Sequence, residues 1–114
     1  MNHEHHEQMA LFQWMSYKPE LKIAFAIPNA AKRSLRLAAY MKAEGLKPGV
    51  PDIFIPIARQ NYHGLFIEMK AVKRGRLSDY QREYHYRLHE NGFKVAVCYG
   101  FDEAKKEIEE YMGY

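Results

Sequence analysis

Two stretches decide how this chain folds: Gly49-Val50-Pro51-Asp52-Ile53-Phe54-Ile55-Pro56-Ile57 and Leu65-Phe66-Ile67-Glu68-Met69-Lys70. Both alternate with a period of two, as β-strands with unlike faces do. In the first, Ile53, Ile55 and Ile57 share one face, while Asp52 and Phe54 share the other. In the second, Leu65, Ile67 and Met69 oppose Phe66, Glu68 and Lys70. The polar stretch from Ala58 to His63 predicts a turn, so the two strands pair as a hairpin. Glu68 and Lys70 then project the same way, about 7 Å apart along the strand. Asp52, entering the partner strand, comes within reach of the same face.

Outward from this hairpin the pattern is mixed. Glu7 to Ser16 has helical spacing, with Glu7, Leu11, Trp14 and Met15 along one side, and Lys18-Pro19 ends it. Lys22 to Ile27 predicts a short strand closed by Pro28-Asn29. Ser34 starts a second helix with Leu35, Ala38, Ala39 and Lys42 along one side and Gly45 as its stop. Downstream, Ser78 and Gln81 fit a capping box for a third helix that ends at Asn91-Gly92. Lys94 to Cys98 predicts a buried strand. Asp102 is expected to cap a last helix whose apolar side is Ala104, Ile108, Tyr111 and Met112. Such an order implies an α/β fold, a central mixed sheet with helices on its faces.

The length of 114 residues suits a single domain over positions 1–114. No apolar run approaches the roughly 20 residues that span a bilayer. The start, HEHHEQ, has no basic stretch followed by an apolar core, so no secretory signal is expected and the reading is a soluble, cytoplasmic protein. The lone Cys98 lies in an apolar run and reads as a buried strand thiol, not a nucleophile. His3, His5 and His6 could hold a metal, but they sit in a terminal stretch expected to be mobile. The net charge of +3 is modest. Its distribution is more telling: Lys32, Arg33, Arg36, Lys42 and Lys47 form one basic group, and Lys70, Lys73, Arg74 and Arg76 another around Gly75. The last fourteen residues are acidic on balance. This polarity suggests one face that attracts a polyanion.

The decisive feature is charge where apolar side chains belong. Two carboxylates and a lysine at a sheet edge are costly to desolvate without a partner. A hard divalent cation supplies one, because it prefers carboxylate oxygens. A plain salt bridge between Glu68 and Lys70 is the simpler explanation of those two residues alone.

Pro51-Asp52, then fifteen residues, then Glu68-Met69-Lys70, resembles the PD-(D/E)xK nuclease signature. The chain also resembles the VRR-NUC family within that superfamily, over nearly its whole length. The matching residues run from Glu7-Gln8 and Ile27-Pro28-Asn29 through Gly45 to Asp52 and Phe66 to Lys70. They continue with Gly75-Arg76-Leu77-Ser78, Gln81 and Gly92 before the Val95 to Cys98 strand. The resemblance implies a restriction-endonuclease-like core and a metal-dependent endodeoxyribonuclease. Asp52 and Glu68 would bind Mg²⁺ or Mn²⁺ with the Met69 carbonyl, and no organic cofactor is implied. Lys70 would orient or deprotonate water and offset charge in the transition state. Glu7 would be a third acidic contact, although a first-turn glutamate also suits the helix dipole. Gln81 would point inward towards the site, although the capping box alone explains it. Lys73, Arg74 and Arg76 would touch phosphates flanking the cut. Asn29 either reaches the site or forms a turn; Tyr80, Tyr84 and Tyr86 could stack on bases, although helix packing accounts for most of them.

Stand-alone members of the family look similar to Holliday-junction resolvases, which implies branched DNA as substrate, a homodimer, and a role in repair in a bacterium or phage. No base-reading pattern is evident, so shape selection is expected over sequence selection. Three other readings compete: a restriction-like or flap-cutting nuclease, a non-catalytic DNA-binding subunit of a repair or replication complex, and a metal-binding protein using the N-terminal histidines.

Overall fold

A computed structural model describes residues 3–29, 34–71 and 75–114 of the chain, with side chains from position 5 onward. The elements are α1 (His3–Met15), a 3₁₀ turn (Pro19–Ile23), β1 (Phe25–Ala26), α2 (Leu35–Ala43) and β2 (Ile53–Ile55), followed by β3 (Leu65–Lys70), α3 (Asp79–Glu90), β4 (Lys94–Tyr99) and α4 (Phe101–Met112). They build a four-stranded sheet in the order β1-β2-β3-β4. β1 pairs antiparallel with β2, β2 antiparallel with β3, and β3 parallel with β4. The parallel step needs a crossover, which α3 supplies.

The period-two reading of β2 and β3 holds. Ile53 faces Ile67 and Ile55 faces Leu65. These four, with Met69, Ala96 and Cys98, bury one face of the sheet against Leu11 and Met15 of α1 and Ala104, Ile108, Tyr111 and Met112 of α4. Truncating any of the large ones to alanine is expected to cost about 2–5 kcal/mol. On the other face Phe54 stacks on Phe66 with ring centroids 4.2 Å apart, and Phe93 meets both rings edge-on. Glu68 and Lys70 continue this second face towards the end of β3, under α3.

Several expectations shift. The strand foreseen over 22–27 starts later and is shorter: Lys22 and Ile23 belong to the 3₁₀ turn, Ala24 is already extended, and only Phe25 and Ala26 pair in the sheet. Pro19 at the first turn presets a helical φ, and the turn drives Leu21 into the core at 2% exposure. α1 starts at His3, so the histidines belong to a helix and not to a loose end. β2 stops at Ile55 because Pro56 has no N–H for a ladder. Gly100, not Asp102, is the N-cap of α4. Asp102 sits in the first turn, where its charge still suits the helix dipole.

The β2–β3 connection is a turn of opposite hand to the usual one. Gln60 (φ 53°) and Asn61 (φ 68°) are both left-handed, between the bridged pair Arg59 and Tyr62. That backbone matches strand twist but normally calls for Asn-Gly. Here tertiary bonds hold it, since Gln60 Nε2 donates to the Glu110 carbonyl at 2.7 Å. The Tyr111 hydroxyl donates to the Ile57 carbonyl at 2.6 Å close by.

Candidate active site

At the end of the ladder that pairs Ile53 with Ile67, the Asp52 backbone N–H bonds to the Ile67 carbonyl at 3.0 Å. Its side chain then accepts the Met69 N–H on Oδ2 at 2.7 Å. That bond anchors Asp52 beside the strand segment holding Glu68 and Lys70. All three line one cleft of about 590 Å³, together with Met69 and Gln81. Lys42 and Lys47 lie on its rim, and so do the exposed Leu35, Tyr80 and Asn29. The apolar side of α2 thus faces the cleft, and none of its residues is buried. Tyr80 is 68% exposed and Tyr86 57%, so helix packing does not account for these two tyrosines.

The loop before β2 reaches the cleft only because position 49 is glycine. Gly49 has φ +89°, and a Cβ there would collide with the Tyr80 backbone.

Glu68 is only 3% exposed. Its Oε2 accepts from Gln81 Nε2 at 3.0 Å, and its Oε1 lies 3.2 Å from His85 Nε2. Gln81 in turn accepts on Oε1 from Lys70 Nζ at 3.0 Å and from the Ser78 N–H at 2.9 Å. Only one amide orientation satisfies this set, since a flip would set N–H groups against donors and oxygen against carboxylate. The capping box is present as expected, with Ser78 Oγ accepting the Gln81 N–H at 3.1 Å. The two readings of Gln81 are therefore both true: one side chain caps α3 and joins Lys70 to Glu68.

His85 was missed in the sequence. It follows Gln81 by four residues, hence lies one turn further along the same helix side, and that spacing was the available signal. Burial lowers its pKa, the Lys70 charge lowers it further, and Asp52 opposes both.

The remaining candidates fall elsewhere. Glu7 Oε1 accepts the Phe101 N–H at 2.7 Å, capping the first turn of α4. It stands just past the end of β4, whose Tyr99 is level with Lys70, but it is not among the residues lining the cleft. Among the described residues, no three His, Cys, Asp or Glu side chains gather to hold a metal ion. This applies to Glu7 with the two carboxylates, and to His5 with His6, both exposed. Arg76 is exposed next to Gly75, whereas Lys73 and Arg74 lie outside the described residues. A Cβ at position 75 would overlap the aliphatic stem of Lys70, and the Gly75 carbonyl accepts from the Tyr99 hydroxyl at 2.9 Å. Cys98 is buried as expected, and burial pushes its thiol up to about 12.

Helices on both faces of a mixed sheet, with two carboxylates and a lysine at one end of its antiparallel hairpin, define a restriction-endonuclease-like α/β domain. The family model for the VRR-NUC domain matches residues 1–102. A solved structure described as a VRR_NUC domain protein aligns with a TM-score of 0.86 and 28% identity, over 99% of this chain and 90% of that one. No curated protein is matched. The chain belongs to the VRR-NUC family, and it is at that level a nuclease-type domain that acts on DNA. No helix among the described residues is long and apolar enough to cross a membrane.

Proposed function

We propose that this chain is a PD-(D/E)xK endodeoxyribonuclease that needs Mg²⁺ or Mn²⁺ to hydrolyse phosphodiester bonds in branched DNA. The observation behind this reading is the convergence of Asp52, the buried Glu68 and Lys70 on one cleft rimmed by Lys42 and Lys47. Hard carboxylate oxygens fit a divalent cation. Mg²⁺ in particular keeps several waters and is commonly held by only one or two carboxylates plus substrate phosphate. Two protein carboxylates are therefore enough, with the Met69 carbonyl as a further oxygen. Such an ion, when bound, draws charge off the phosphate and lowers the pKa of nearby water.

The chain's own groups do the rest. Lys70, steered by Gln81, offers a proton donor and a fixed positive charge beside the reacting phosphate. Lys42, Lys47 and Arg76 attract flanking phosphates, which fixes the path of the backbone without reading bases. Selection by shape follows, and a homodimer suits a symmetric four-way junction, in which two strands must be cut.

The test is cleavage of a labelled four-way junction with and without Mg²⁺, native protein against Lys70→Ala, with linear duplex and flaps as competitors. Metal-dependent cutting of the junction, lost in the variant while binding persists, is expected. Binding without cutting in Mg²⁺ or Mn²⁺ would make the chain a DNA-binding subunit, and preference for linear duplex would end the junction reading.

A further inference from the structure

Glu68 is gripped twice, once on each carboxylate oxygen, by side chains four residues apart on α3. A carboxylate with a single anchor rotates freely, because the terminal torsion of glutamate is broad and roughly two-fold. With Gln81 on Oε2 alone, Oε1 could swing. His85 removes that freedom. A carboxylate only accepts hydrogen bonds, so the His85 nitrogen facing it, Nε2, is the donor. His85 is itself 9% exposed and Glu68 3%, so neither is held in place by solvent.

We propose that His85 is a positioning residue for metal binding, its Nε2–H clamping Glu68 Oε1 so that the carboxylate is already oriented when a divalent cation arrives. This rests on the reading of Glu68 as a metal ligand. Partners behind a ligating carboxylate typically change metal affinity 10–100-fold when removed, because the ligand must otherwise be ordered at the moment of binding. The clamp also explains why a histidine stands on the sheet-facing side of α3, where an apolar side chain would fill the space as well. His85 touches neither water nor phosphate in this scheme. Its effect passes entirely through Glu68.

The experiment titrates Mn²⁺ alone onto the full chain by calorimetry, without DNA, for the native protein and three variants, with a thermal melt of each. His85→Leu keeps the bulk but has no donor, and its affinity is expected to fall about 10–100-fold. His85→Gln puts an amide nitrogen near the Nε2 position and is expected to recover most of that loss. His85→Asn keeps an amide that stops short of Glu68, and should bind Mn²⁺ as weakly as the leucine variant. A folded leucine variant with native affinity overturns the proposal. Should that variant not fold, asparagine and glutamine decide: equal, native-like affinities overturn it, and a recovery confined to glutamine supports it. A native protein with no Mn²⁺ binding at all overturns the metal-dependent reading itself, and the clamp with it.

Discussion

Lys70 Nζ and Gln81 Oε1 lie 3.0 Å apart, and the same oxygen accepts the Ser78 N–H that closes the capping box. Starting the helix and aiming the lysine are thus one structural event. Gln81→Glu separates them. Its oxygens can still accept from Ser78 and Lys70, but the donor to Glu68 becomes a second carboxylate oxygen. Junction cleavage is expected to fall about 100-fold, the size of effect seen when one preorganised donor is lost, while the fold persists. Gln81→Ala should lose activity and also about 1 kcal/mol of stability with the cap. Single-turnover rates beside thermal melts check both, and native-like cutting by Gln81→Glu would show the amide bridge to be idle.

Glu7 and Phe101 are 94 positions apart, yet the carboxylate caps the helix. Glu7→Gln keeps an acceptor oxygen and should stay near native stability, whereas Glu7→Ala should lose about 1 kcal/mol. Neither is expected to weaken Mn²⁺ binding measured by calorimetry. A tenfold loss in both variants would instead make Glu7 a metal contact, as the family resemblance suggests.

Gly75→Ala tests how the lysine is held. The added methyl group meets the stem of Lys70, not its far end, so the side chain must move. A shift of about 1 Å in a group that acts on the substrate can cost roughly 100-fold in rate. If Lys70 acts in the cleavage as proposed, the rate should drop by that order, while Mn²⁺ affinity, assigned in the proposal to Asp52 and Glu68, stays unchanged. Comparing rate constants with calorimetric affinities separates the two.

Burial pushes the Cys98 thiol from an ordinary 9.0 to about 12. In the folded protein it should resist iodoacetamide at pH 8 and react once denaturant is added, as mass spectrometry would show. The linkage has a definite sign. Between pH 9 and pH 12 the unfolded chain releases a proton that the folded chain keeps, so stability falls as pH rises through that window. Cys98→Ser or Cys98→Ala should flatten that part of the stability profile, read by denaturant titration at a series of pH values.

Much of the molecule was legible because its signals are local. Strand β3 came out residue for residue, since Leu65, Ile67 and Met69 alternate cleanly with Phe66, Glu68 and Lys70. The Ser78–Gln81 box was equally readable because a capping box is a spacing of three. The 3₁₀ turn was not, because Leu21, Ile23 and Phe25 alternate like a strand and the period misleads where Pro19 sets the backbone. The cap of α4 was assigned to Asp102 on composition, whereas the bonded acceptor comes from another helix. Gln60 and Asn61 carried no glycine signal for their left-handed turn, which holds through bonds to the end of α4.

By itself the sequence determined which side chains share a face, where the hairpin lies, and that Asp52, Glu68 and Lys70 would meet at its end, because side-chain direction along a strand follows from covalent geometry. Only the tertiary structure decided who stands behind them. Glu68 gains Gln81 and His85 because the crossover lays α3 over that face of the sheet, and Glu7 is taken up by Phe101 because α1 and α4 pack side by side. A spacing of four sets His85 beside Gln81 on one side of α3, but which oxygen of Glu68 each one grips depends on how that side fits against the sheet.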